Sequence, residues 1–177
     1  MRIKFGFIIV ILGAIGQISM RCGTPIPRDQ WIKYKKAVRY IRSNEPYKSK
    51  GVYVVDTLVF ISETDFFHAY YNDTMNRNQV HTLIDSLDKI DSIYYHPLQP
   101  AAFLMKLNKQ NHNGNPKYNI YFDYAYENVL KATVINNRED VKNPYRNIRI
   151  FNNVENFKFV FDKNNHLVKV YHYRMAQ

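Results

Sequence analysis

The stretch 117–127, KYNIYFDYAYE, followed at once by VLKATVI at 129–135, decides the fold. Aromatic and β-branched residues alternate with polar ones, the period-two pattern of half-buried strands. Reading outward toward the C-terminus, the pattern returns in FKFVF (157–161) and LVKVYHY (167–173), with Ile148 to Phe151 as a further strand. The last two long runs are joined by Asp162-Lys163-Asn164-Asn165-His166, a cluster of turn formers suited to a hairpin. In the final strand Leu167, Lys169, Tyr171 and Tyr173 face one way and Val168, Val170 and His172 the other.

Reading outward toward the N-terminus, the character changes. Val52 to Ile61 (VYVVDTLVFI) is a strand after Gly51, but most of the rest has helical spacing. Trp31, Tyr34, Ala37, Val38 and Ile41 form one stripe, with Asp29 as the expected N-cap. Val80, Leu83, Ile84, Leu87 and Ile90 form a second stripe, capped by Asn78, with Asp85, Asp88 and Asp91 on the solvated side. Thr64 to Tyr71 reads equally as a short helix or a strand continuation, Ala101 to Leu107 as a short helix, and 108–116 as a polar loop. Helices first and a run of strands afterwards predict an α+β fold, with N-terminal helices packed on a curved antiparallel sheet. The element order over roughly 28–175 resembles that of cystatin-like and NTF2-like domains, in which such a sheet wraps around helices.

Composition narrows the class. The chain has 177 residues, 46% hydrophobic and 15% aromatic, which predicts one domain and excludes a disordered chain. One cysteine excludes an internal disulfide framework and a cysteine-based zinc site. The formal charge is +10, of which residues 1–27 carry +3, residues 28–50 carry +6 and residues 51–177 only +1. A nucleic-acid groove needs cations converging from several elements of the folded domain, and here they crowd one end, so no nucleic-acid partner is expected.

That end carries an address. Arg2 and Lys4 precede Phe5 to Met20 (FGFIIVILGAIGQISM), an uncharged apolar run, and Arg21-Cys22-Gly23 follows. A basic start ahead of a short apolar core is the pattern of an export signal. Sixteen uncharged residues fall short of the ~20 that span a bilayer comfortably. The segment resembles the leader of bacterial envelope lipoproteins, and the resemblance implies that Cys22 is lipidated and becomes the new N-terminus. Cleavage after Ala14-Ile15-Gly16 and an uncleaved anchor are the alternatives. Residues 1–21 then form the signal or anchor, 22–27 a tether, and 28–177 the domain, exported and attached to the membrane of the cell envelope.

Directly beyond the tether, Lys33, Lys36, Arg39 and Arg42 fall outside the apolar stripe of the first helix. An ordinary solvated face explains them; a cationic face resting on anionic headgroups is the sharper expectation, each charge worth about 1 kcal/mol at most.

No GxGxxG, GxxxxGK[ST] or GxSxG occurs, and the six histidines form no HxxxH or HxH pair. No metal or cofactor is expected. One segment stands out for ligand binding: Tyr118, Phe122, Tyr124 and Tyr126 are expected on one strand face, with Tyr121, Asp123 and Glu127 on the other. The NTF2-like resemblance implies an aromatic-lined cavity with Asp123 or Glu127 as its acid–base group, while tyrosines also suit strands with no ligand at all. The function expected is that of a non-enzymatic, membrane-tethered envelope protein presenting its sheet to a protein or glycan partner. A small-molecule-binding or acid–base enzyme domain is the alternative.

Overall fold

The computed structural model describes residues 27–71, 73–110, 115–136 and 154–175. The leader with Cys22, most of the tether and the expected strand Ile148–Phe151 lie outside these residues. Among the described residues four α-helices, α1 (Arg28–Ser43), α2 (Tyr47–Lys50), α3 (Phe67–Tyr70) and α4 (Arg77–Tyr94), accompany six strands. These are β1 (Val52–Leu58), β2 (Gln99–Pro100), β3 (Tyr118–Phe122), β4 (Val129–Asn136), β5 (Val154–Phe161) and β6 (Leu167–Met175). They form one sheet in the order β2-β1-β3-β4-β5-β6. The α+β class expected from the sequence is present.

The sheet is mixed, which corrects the expected all-antiparallel arrangement. Strands β3 to β6 form an antiparallel meander, but β3 runs parallel to β1. Between those two strands lie α3, α4, β2 and a 3-10 helix at Ala102–Gln110. A connection of that length crosses over and brings the chain back in the same direction, which a tight hairpin cannot do.

Helix α1 packs Tyr34, Ala37, Val38 and Ile41 on one face of the sheet, hereafter the front, against Val54, Ile120, Phe122, Leu130, Val134, Phe157 and Phe159. Its N-cap is Pro27, whose carbonyl accepts from Trp31 N at 3.1 Å, and not Asp29. Asp29 sits two residues further in, within the first turn, where its charge favours the positive helix end. At the end of α2, Gly51 takes φ 73°, a left-handed setting that glycine adopts without a Cβ clash, and the chain turns into β1.

Helix α4 begins at Asn76, two residues before the expected Asn78. Asn76 accepts from Gln79 N at 3.0 Å while Gln79 reaches back to Asn76 N at 2.9 Å, a reciprocal capping box. Its apolar stripe is only partly covered: Leu87 is 3% exposed but Ile84 and Ile90 are each 38% exposed. The helix packs on α3 and the 3-10 turn at Thr64–Phe66 rather than on the sheet. Asp91 departs from the solvated trio, accepting from Glu63 N at 2.6 Å and from Ser62 Oγ.

The other face, the back, carries a smaller apolar cluster of Val59, Ile61, Phe66, Tyr121, Ile135 and Val154. Beside it lie buried Lys131, Thr133, Asn156 and Lys158.

Candidate functional site

Strand alternation creates the polar site on the back face. In β4, Leu130, Ala132 and Val134 enter the front core, so Lys131 and Thr133 project backward. In β5, Phe157, Phe159 and Phe161 do the same and send Asn156 and Lys158 backward. The register sets Lys131 directly opposite Lys158. Two buried ammonium groups facing each other across adjacent strands repel, and the fold supplies carboxylates to separate them.

Glu63, at the 3-10 turn after β1, stands between the two, with Oε2 2.6 Å from Lys158 Nζ and Oε1 3.8 Å from Lys131 Nζ. Tyr70 of α3 donates to Glu63 Oε2 at 3.0 Å and also meets Lys158 Nζ. Burial, reinforced by the negative charge of Glu63, raises the Tyr70 hydroxyl well above its ordinary range and keeps it protonated. Asp123, just past β3 and 0% exposed, takes the other side of Lys131 at 3.1 Å. His96, in the segment between α4 and β2, closes the chain with Nε2 2.7 Å from Asp123 Oδ1. Phe60 lies 5.4 Å beneath Lys131 Nζ, and its ring and that of Tyr124 flank His96.

Five ionisable groups thus form one chain: His96, Asp123, Lys131, Glu63, Lys158. What it can do chemically follows from its saturation. Asp123 Oδ1 accepts from His96 and from Tyr124 N at 2.7 Å, and Oδ2 pairs with Lys131 and accepts from Ile61 N at 3.2 Å. Lys131 also donates to the Ile61 carbonyl, so its ammonium is held by Asp123 and Ile61, with Glu63 Oε1 a more distant counter-charge. Both His96 nitrogens are occupied, the second by the Pro97 carbonyl at 2.9 Å. An acid–base catalyst needs a lone pair or proton within reach of a reacting atom. This cluster directs its groups at one another. It ties the segments around Ile61 and His96 to the back of the sheet.

The residues singled out in the sequence are dispersed. Tyr118 and Phe122 face the front as expected: Tyr118 meets the Tyr47 ring at 5.0 Å, and Phe122 is fully buried against Tyr34. The strand ends at Phe122 and strict alternation ends with it, although Tyr124 still packs against the front cluster, as expected, beside Ala125. Tyr124 turns its ring edge to His96 and its hydroxyl to Gln99, and Tyr126 packs on Tyr94 at 4.8 Å. Glu127 is exposed on the tight turn between Tyr126 and Val129, at φ 41°. Only Asp123 joins the polar cluster. Glu63, His96, Lys131 and Lys158 were missed, though a lysine midway along each of two apolar strands was a visible signal.

The basic face of α1 also needs correction. Lys33 is 4% exposed and donates to the Glu127 carbonyl, so it is a structural strap and not a surface charge. Lys36 reaches the Asn165 carbonyl at 2.6 Å, and Arg42 the Leu107 carbonyl at 3.1 Å. Arg39 remains exposed. Lys33 and Lys36 each clasp a carbonyl at a positive-φ residue of a hairpin turn, Glu127 and Asn165.

Among the described residues, cavities open to the surface at two places relevant to the expected sites. One, of about 600 Å³, lies along α1 and the 3-10 helix at Ala102–Gln110. The other, of about 200 Å³, has Tyr118, Tyr47, Glu155 and Arg174 in its wall. Among the described residues no group of three or more His, Cys, Asp or Glu is placed to hold a metal ion, and no helix is long and apolar enough to cross a membrane.

The fold and site define a class: an α+β domain with a six-stranded mixed sheet and a closed ionic cluster on its back face. No family model, no curated protein and no solved structure matches the chain.

Proposed function

We propose that this is a non-enzymatic binding protein of the cell envelope, held to the membrane through Cys22 and offering its sheet to a protein or glycan partner. The observation that carries the non-enzymatic part is the closure of the polar cluster. Asp123 has the burial of an acid–base group, but each of its oxygens is already engaged by two partners. The interior beneath α1 is filled by Tyr34, Phe103 and Phe122 in edge-to-face contact, where the alternative of an aromatic-lined chamber needs open space. The likeness to cystatin-like or NTF2-like domains belongs to the same proposal, supported by a helix crossing one face of a four-stranded antiparallel meander.

Among the described strands, β6 stands last in the order, and we take it as the surface offered. Val168 is 65% exposed, and Lys169, His172 and Arg174 are exposed beside it. An edge strand of nine residues can add a partner strand by main-chain hydrogen bonds.

The test is the intact mass of the chain recovered from a membrane fraction. A mass beginning at Cys22 with a diacylglyceryl addition is expected. Recovery in the soluble fraction with residues 1–21 retained overturns the tether, and with it the envelope location.

A further inference from the structure

The cavity of about 600 Å³ along α1 combines an apolar floor with a cationic rim. Trp31, Ile32, Val38 and Leu107 give it an apolar floor. Lys35, Arg39 and Lys106 stand exposed at its rim, and among the described residues no carboxylate lines it. Arg42 crosses the floor, one guanidinium nitrogen fixed on the Leu107 carbonyl at 3.1 Å. Its Nε is buried and lacks a hydrogen-bond partner among the described residues. Leaving such a donor unsatisfied is unfavourable, and an arriving oxygen acceptor relieves it.

We propose that this groove between α1 and the 3-10 helix binds a single-chain anionic amphiphile, a phosphate monoester on an alkyl or acyl tail. Charge complementarity selects the head. Three rim cations and a guanidinium with a spare donor face no acid among the described lining residues, and a phosphate monoester brings close to two negative charges and three acceptor oxygens. The floor selects the tail, because a bare anion leaves Trp31, Ile32, Val38 and Leu107 in water. The volume of about 600 Å³ lies within the range of small-ligand sites and is far from the extended track that a nucleic-acid backbone needs. Lys36 lines the groove with its amine committed to Asn165, so it contributes field rather than contact. The inference goes beyond the proposed sheet contact and holds whether or not Cys22 is lipidated.

Trp31 is the sole tryptophan of the chain and lies in the groove wall, so its fluorescence reports occupancy. The full chain, held in zwitterionic phosphatidylcholine nanodiscs, is titrated with octyl phosphate, octyl glucoside, inorganic phosphate and an eight-nucleotide oligothymidylate. The expected result is a saturable change in Trp31 emission with octyl phosphate at a concentration at least tenfold below any of the other three. The double variant Arg39→Gln/Lys106→Gln weakens it at least tenfold, while Lys48→Gln/Lys50→Gln, equal in charge change but on α2, leaves it within twofold. Equal response to octyl glucoside makes the groove a plain apolar patch. Equal response to inorganic phosphate removes the role of the tail, and tighter oligonucleotide binding assigns the cations to nucleic acid. Equal weakening by both double variants reduces the effect to diffuse charge. Each of these four results overturns the proposal.

Discussion

The two faces of the sheet are held by different physics. The front is a dry apolar layer in which Tyr34, Phe122 and Phe159 are fully buried and side chains meet edge to face. Behind the same strands, one residue out of phase, lies a chain of two carboxylates, two ammonium groups and an imidazole. Apolar packing is non-directional and tolerates a modest change of shape. A buried ionic cluster has no such tolerance, since removing one member strands its partners in a low-dielectric interior. The front therefore supplies bulk cohesion, and the back fixes where the segments around Ile61 and His96 sit.

The sharpest way to break this comparison is a pair of near-isosteric substitutions. Asp123→Asn keeps the shape and removes the charge between Lys131 and His96, with an expected loss of about 3–5 kcal/mol in urea unfolding. Ile120→Val removes one methylene from the front core, with an expected loss of about 0.5–1.5 kcal/mol. Equal losses would erase the distinction between the faces.

A smaller effect comes from alkaline pH. Burial pushes the Tyr121 hydroxyl, in the back cluster, up to about 12 from an ordinary 10.0. Tyr34 and Tyr70 are raised further, again first by burial. Above pH 10 the unfolded chain releases protons that the native chain keeps, so the unfolded state gains relative stability as pH rises. The tyrosine contribution is intact below pH 10 and is lost as pH climbs through 12; chemical denaturation at pH 8 to 11.5 is expected to show a monotonic fall beginning near 10.

The smallest effect is at the exposed turn between β5 and β6. Asp162 accepts from Asn164 N at 2.8 Å and His166 N at 2.7 Å, and these bonds hold its carboxyl below the usual carboxylate range. Asp162→Ala is expected to loosen the hairpin locally, seen as faster amide exchange at 163–166, with a much smaller change in melting temperature than either core substitution. An unchanged exchange pattern would show that Lys36, clasping the Asn165 carbonyl, sets this turn by itself.

Much of the architecture was legible in the sequence because strand alternation and helix stripes are local signals. Val129 to Ile135 and Leu167 to Tyr173 lie wholly within observed strands. The parallel pairing of β1 with β3 was not legible, since no local pattern encodes which strand a long crossover returns to. Tyr124 and Tyr126 continue the alternation on paper, but the strand ends at Phe122, where the Asp123 carboxylate takes two backbone amides, Ile61 N and Tyr124 N. Apart from Asp123 with Lys131, the polar cluster joins residues distant in sequence, such as His96 with Asp123, 27 positions apart, and Lys158 with Glu63, 95 apart. Only Lys131 and Lys158, placed midway along apolar strands, advertised that something waited behind the sheet. Four of the α1 cations, Lys33, Lys36, Arg39 and Arg42, looked alike in sequence, and tertiary partners separated them into straps (Lys33, Lys36, Arg42) and an exposed rim charge (Arg39).

The claim that charge, and not shape, fastens the back layer is tested most directly by a double-mutant cycle on Asp123 and Lys131. Asp123→Asn, Lys131→Met and the pair are compared by urea unfolding of the full chain. If the two groups exist to neutralise each other, the double variant is less destabilised than the sum of the singles by about 1–3 kcal/mol, because removing the second charge relieves the burial of the first. Losses that simply add would contradict the account.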